Sequence, residues 1–447
     1  MKKLSTTMRL TFLGAALMLA AQVRGVEEQP AAAPFNYVRA KAFHIPPETT
    51  TEESGYFALC EGLNGKIYVG TAAYGRNAYL VEFDPRTEKM RIVLDVHKVA
   101  GLPLTPTGYA SQSKIHTRCF VGKSGKIYVG TKQGYASEAE KAAKRRGETI
   151  PVYRGGYVMV YDPATDTTEN LGMPMPLTDE MIAAGKTEGQ GVIDVTADEA
   201  RGLIYIITCE EQHWLLYNMK TKKYRELGPI LRDQPNTLID ARGRGTAITA
   251  DFKVARYDPA TDKMTVDPLM VGNKRFGDYL GGHRVHPDWR ITPDGKTAYM
   301  QLLDDKRMFR VDLSGPAGQP VVAVNLGDRI QGKNPDSRGS ICLAPDGRVY
   351  SATRVDNETG FGAGLLHHLV RHDPTTAAME DLGVFTVKNP GFAGSATPNH
   401  GFHRLPDGTM TPMHAMLAMI VARDGTIYAT NLYPFTLLRV DPDAYPR

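Results

Sequence analysis

Short runs of alternating large apolar and small residues recur along the chain, each introduced by a tight polar turn. They read NGKIYVGT from Asn64, SGKIYVGT from Ser124, RGLIYIIT from Arg201, DGKTAYMQ from Asp294, DGRVYSAT from Asp346 and DGTIYATN from Asp424, with a degraded copy, GRGTAITA, from Gly243. Period-two alternation after Gly beside Asn, Asp or Ser marks a strand leaving a hairpin turn. A second phrase follows each run: VEFDPRT, VMVYDPATD, WLLYNMKT, VARYDPATD, MFRVDL, LVRHDPTT and LLRVDPD. Here Pro fixes φ in the first half of a turn, while the Asp oxygen accepts from the amide two residues on. Two turn signals per unit, found seven times, predict seven four-stranded units.

A four-stranded sheet cannot bury both of its faces alone, so such units stack radially around a channel. The expected fold is all-β, a seven-bladed β-propeller of four-stranded antiparallel blades over residues 35–447. A row of separate β-sandwiches would need a longer period. Residues 36–45 precede the first unit and are expected to supply the outer strand of the last blade, closing the ring and removing an exposed edge.

The N-terminus has a different pattern. Lys2, Lys3 and Arg9 precede an apolar run over 10–23 that is short for a bilayer span, and Val23 and Gly25 suit a cut after Gly25. Residues 1–25 therefore read as a signal peptide and 26–34 as a flexible mature start, with the product exported to the periplasm or beyond the cell. No second long apolar run argues for membrane insertion.

Topology then separates two faces. The Gly turns and Asp-Pro turns all lie on one side and are short. The opposite side receives an insertion over 132–156, with a helix expected over 137–146, and crossovers over 174–190, 272–282, 326–338 and 388–412. Long loops on a rigid scaffold commonly carry binding or catalysis. Polar residues at the start of each inner strand are expected at the channel mouth on that face: Lys114, His116 and Arg118 in SKIHTRC, Glu188 and Gln190 in TEGQGV, Arg284 and His286 in HRVHP, Arg338 in DSRGS and His414 in PMHAM. Alternation along a strand would project Lys114, His116 and Arg118 together.

Two chemistries suit such a set. Converging imidazoles with Glu188 or Gln190 would hold a divalent metal. Alternatively, a basic mouth with a neutral His would bind an anionic glycan, arginine neutralising the uronate while His removes the α-proton and Tyr135, Tyr153 or Tyr157 supplies the acid. The candidate catalytic set is then His116, Arg118, Arg284, His286 and Tyr135, with Lys114, Gln190, Arg338 and His414 binding substrate. A propeller that only binds a glycan, peptide or partner protein through this face is a third reading, and spacing assigns no metal ligands.

With its leader, seven units, and His116 and arginines at the channel mouth, the chain resembles the secreted propeller polysaccharide lyases of the ulvan lyase and oligogalacturonate lyase groups. The resemblance covers nearly the whole mature chain and implies a His and Tyr pair with an Arg that neutralises the uronate, His116 being the position carried over. The third unit departs from the pattern, with Cys209 in ITCEEQHWLLYN. The units also resemble streptogramin lyase-type and lactonase-type propellers, which place a metal at the channel mouth.

A net charge of +4 over 447 residues, with the basic run Lys141, Lys144, Arg145 and Arg146 as a solvated helix face, gives no case for nucleic acid. The four cysteines show no C-x-x-C spacing, and Cys60, Cys119, Cys209 and Cys342 are expected as buried free thiols. Oligomeric state is not legible.

Overall fold

The computed structural model describes residues 32–445 except 50–52, 105–107, 134–135, 235, 282–285, 390–391, 393–395, 398–399, 415 and 417. The expected leader, most of the expected flexible start, and the candidates Tyr135 and Arg284 lie outside the described residues.

Strand pairing follows the two turn signals. Glu53–Glu61, Ile67–Ala72, Tyr79–Asp84 and Lys89–Asp95 pair in succession, each antiparallel to the next. The same meander recurs in Gly191–Asp198, Leu203–Cys209, Trp214–Asn218 and Lys223–Glu226, which stand as a separate four-stranded sheet. It recurs again in Pro287–Ile291, Thr297–Leu302, Arg307–Asp312 and Val321–Asp328. The other meanders, the first and the third of these included, share ladders with their neighbours, giving sheets of 11, 9 and 9 strands among the described residues. Lys114–Ile115 bridges Ile67–Ala72 and Ile127–Lys132, and Lys263–Val271 runs parallel to Val321–Asp328.

The local chemistry is that of the repeated phrases. Gly65 and Gly125 hold φ of 77° and 88°, a region that costs glycine little and L side chains more. In the second turn Asp84 Oδ1 accepts from Arg86 N at 2.9 Å, and Asp162 and Asp258 do the same for Ala164 and Ala260. The glycine inside IYVGT has another origin. A Cβ at Gly130 would stand 2.4 Å from Val192 and 2.7 Å from Thr117, because two inner segments press against this strand.

Apolar burial lies between successive meanders. Tyr68 and Leu80 pack with Val129 and Met159, and Tyr128 and Val160 pack with Val192 and Ile206. One cluster closes the circle, joining Leu59, Val69 and Phe83 near the start of the chain to Tyr428, Phe435 and Leu437 near its end. Tyr37–His44 pairs antiparallel with Thr436–Val440 through Lys41 opposite Arg439 and Phe43 opposite Leu437, so the N-terminal strand covers the edge of the C-terminal meander. It also runs parallel to Met379–Val387.

The insertion over 132–156 contains the helix Glu138–Arg145, opened by a capping box in which Ser137 and Glu140 satisfy each other's backbone amides. Lys141, Lys144, Arg145 and Arg146 are all exposed on it. The crossover over 388–412 is not a bare loop: His400–Arg404 and Met410–Pro412 form a hairpin on the edge of Met379–Val387. All four cysteines are buried and unbridged. Among the described residues no helix is long and apolar enough to cross a membrane.

Candidate functional site

At the loop face the channel opens into a cavity of about 570 Å³. Inner segments and long connections both line it. Lys114 and His116 come from the segment after Tyr109, and His286 and Asp288 from the start of Pro287–Ile291. Arg338 belongs to the 326–338 crossover, and Lys132 and Cys209 end two strands of the repeated phrase. Phe57 and Tyr109 add aromatic surface, and Glu188, Glu210 and Asp233 add carboxylates.

His116 is 8% exposed and meets the ring of Phe57 edge-on at 6.0 Å between centroids. Burial, reinforced by the charges of Lys132 and Lys114, holds its imidazole well below the usual range, so it is neutral. Lys114 Nζ donates to Tyr74 Oη at 3.0 Å and lies over that ring. Lys132 Nζ stands 2.9 Å from Cys209 Sγ and 2.6 Å from a Glu210 oxygen. Burial disfavours the Lys132 ammonium, but Cys209 and Glu210 outweigh it and raise the lysine above its normal value. Burial pushes the Cys209 thiol up to about 11 despite Lys132. Tyr109 is likewise raised, by burial and then by Glu188, and keeps its proton.

The cations at this mouth are matched by acids. His286 Nδ1 pairs with Asp233 at 3.2 Å, which raises its basicity against its burial. Arg338 Nε is 3.3 Å from Asp336. The expected basic mouth is therefore a mixed one, because the long crossovers bring Glu188 and Asp233, and the short turn after Cys209 brings Glu210, to the same rim.

Five of the sequence candidates meet here: Lys114, His116, Glu188, His286 and Arg338. Arg118 does not project with Lys114 and His116. The strand ends at Ile115, and the chain turns down the channel, so Arg118 lines the opposite cavity and pairs through Nη2 with Asp288 at 3.3 Å. Burial, then Arg290, lowers its basicity to about 9. Gln190 stays outside the cavity. Its Oε1 accepts from Glu211 N at 3.0 Å and its carbonyl from Gly156 N, which fixes it in the crossover. His414 also lies away from the cavity, its ring 6.1 Å from that of Tyr433, because Pro412 and Met413 are anchored over His367 and Arg354. Tyr153 and Tyr157 are buried and line no part of the cavity.

Lys132, Glu210, Asp233 and Tyr109 were not singled out in the sequence, and Cys209 was read there only as a buried thiol and a departure from the lyase pattern. A signal existed for Lys132 and Cys209, each of which immediately follows the recurring end of a repeat phrase, IYVGT and IYIIT. Among the described residues no three His, Cys, Asp or Glu side chains gather as a metal-binding group.

No family model matches the chain, and no curated protein matches it. Among solved structures it is similar to the β-propeller domain of Cps50 (Swd1) from Myceliophteria thermophila, at 10% identity and TM-score 0.52, covering 91% of this chain and 100% of that one. The extracellular domain of a hybrid two-component system from B. thetaiotaomicron matches at 13% identity and TM-score 0.48; the alignment covers 90% of this chain and spans 40% of that one. The RRP9 WD40 repeats match at 9% identity and TM-score 0.49, covering 92% and 99%. At such identities the likeness concerns the fold alone, and the fold is an all-β propeller.

Proposed function

We propose that the chain is an exported propeller of seven four-stranded blades, one per meander, that takes a uronate-containing glycan in the loop-face cavity and cleaves it by β-elimination. The observation that carries this reading is the neutral imidazole of His116, buried between Lys114 and Lys132 in a cavity that also holds Arg338 and Tyr109. Proton abstraction beside a carboxylate requires that its charge be matched, and Lys114, Lys132 and Arg338 are the groups available. His116 would take the α-proton, the C–H electrons would form the new double bond, and the bond to the leaving sugar oxygen would break. Tyr109, which keeps its proton and lines the same cavity, would give that oxygen its proton.

A second reading has its own support. An imidazole of such low basicity is a poor base, and the cavity's cations already face Glu210, Asp233 and Asp336. Both fit a propeller that retains a polar ligand without turning it over.

One assay separates the readings. Purified protein is mixed with a panel of uronate polysaccharides and oligosaccharides, with and without chelator, while the ultraviolet absorbance of a conjugated uronate is followed. Elimination predicts a rise that His116→Ala reduces by about 10²-fold or more with the fold intact. A flat trace with measurable glycan binding would leave the binding propeller, and a rise abolished by chelator would point to a bound metal.

A further inference from the structure

The turn face has a cavity of its own, about 500 Å³, at the other end of the channel. Its lining changes with depth. Along one inner segment His116, Arg118 and Phe120 succeed each other, and along another Gln234, Asn236 and Leu238. The first of each series faces the loop-face cavity, and the other two face this one. Phe57 and Gly339 border both. The floor is thus polar and the wall towards solvent apolar.

Two guanidiniums stand at the floor, with Arg118 and Arg290 side chains 19% and 12% exposed. Both lean on one carboxylate, Asp288. Asp194, fully buried nearby, is pushed up to about 7 by burial and supplies only part of a countercharge at neutral pH. Arg118 Nε has no hydrogen-bond partner, and Asn236 Oδ1, which lines the same cavity, is buried and equally unmatched. Excess positive charge held away from water attracts an anion strongly, since leaving it unmatched is costly. Glu61, on the rim, is already engaged by Arg423 at 3.0 Å.

We propose that the turn-face cavity binds a small amphipathic carboxylate, its carboxylate on Arg118 and Arg290 and its hydrocarbon body in the sleeve of Leu238, Ile291, Leu343 and Ile420. A guanidinium pair matches a carboxylate in shape and charge. The sleeve distinguishes a fatty or branched acid from a bare inorganic oxyanion, because only the former covers apolar surface.

Calorimetric titration of the full-length protein with hexanoate tests this, with hexanol and inorganic phosphate as comparisons. Saturable hexanoate binding is expected, with hexanol and phosphate each weaker by about tenfold or more. Arg118→Met should weaken hexanoate by a similar factor. Leu343→Asp, which leaves both arginines in place and charges the sleeve, should do the same while keeping the circular dichroism of the native protein, and it decides the matter if Arg118→Met does not fold. His116→Ala should leave hexanoate binding unchanged, so this site stands or falls apart from the elimination reading. No heat with hexanoate up to about 10 mM would overturn the proposal. Phosphate binding as tight as hexanoate and indifferent to Leu343→Asp would overturn it too, showing an oxyanion site without a sleeve.

Discussion

The two mouths of the channel are built on the same inner segments, yet one is charged and crowded and the other is polar only at its floor. At the turn face the strands leave through short Gly turns or short Asp or Asn turns, so little besides the repeat reaches the lining; Leu238, Ile291 and Leu343 come from the inner segments themselves. At the loop face the connections are long and unlike one another, and they carry Tyr109, Glu188, Asp233 and Arg338 over the opening. The repeat therefore specifies a tube, and the departures from the repeat specify what one end of it does. Between the two lies the Arg118, Asp288 and Arg290 cluster, which belongs to both.

The largest effect should come from breaking that divide. Asp288 is the carboxylate shared by two buried guanidiniums, and its side chain is 8% exposed. Asp288→Ala leaves Arg118 and Arg290 facing each other without it, and removing one member of a buried ionic cluster typically costs about 3–5 kcal/mol. Urea denaturation should show this loss in the midpoint. The triple replacement of Asp288, Arg118 and Arg290 by apolar residues of similar volume should recover much of it. If Asp288→Ala were as stable as the parent, the two cavities would not be separated by a charged floor.

How much of this was legible follows from how local each feature is. The strands and turns were readable because their chemistry is completed within a few residues: Gly65 needs positive φ, and the Asp84 carboxylate serves an amide two positions away. The covering of Thr436–Val440 by Tyr37–His44 was readable from the need to hide an edge. The site was only half readable. Lys114 and His116 were found because they lie at the start of an inner segment, but Arg118 was misplaced because the strand ends at Ile115. Gln190 and His414 were misplaced because hydrogen bonds to Glu211 and Gly156, and a hairpin over Met410–Pro412, decide where those segments lie. The pairing of Lys132 with Cys209 joins neighbouring meanders across 77 residues, and no short-range pattern encodes it.

A smaller effect is expected from Asp194, which sits beside the floor with Oδ2 accepting from Thr237 N at 2.6 Å. Its carboxyl is raised from 3.8 to about 7, chiefly by burial. The folded state then holds a proton that the unfolded state has released, so this group's contribution is present at low pH and is lost as pH rises through 7. Between pH 5 and 8 the loss is roughly 2–3 kcal/mol. His116 and His367, buried neutral and lowered well below 6.5, act in the opposite sense below that pH. The comparison that isolates Asp194 is therefore the difference between the parent and Asp194→Asn. The substitution should gain stability relative to the parent by that amount from pH 5 to pH 8, measured by urea denaturation at each pH. A constant difference would mean that Asp194 is ionised throughout, and that the floor carries less positive charge than its arginines suggest.

The smallest effect concerns the loop face alone. Ser137 opens the helix Glu138–Arg145, its side chain accepting from Glu140 N while Glu140 Oε2 takes the Ser137 amide. Glu140 also reaches out of the helix to accept from Tyr109 N at 2.8 Å, tying the insertion to a residue of the loop-face cavity. Ser137→Ala removes one cap and should cost about 1 kcal/mol in the helix. No residue of the helix is buried, so it adds nothing to the core between meanders. Amide exchange should accelerate across 138–145 and at Tyr109, while the urea midpoint of the whole chain stays within about 0.5 kcal/mol of the parent. Ligand affinity at the loop face should weaken slightly and hexanoate binding at the turn face should not change. Were the midpoint to fall by several kcal/mol instead, the insertion would be part of the ring's own stability, and the division between a repeating tube and its decorated end would fail at this element.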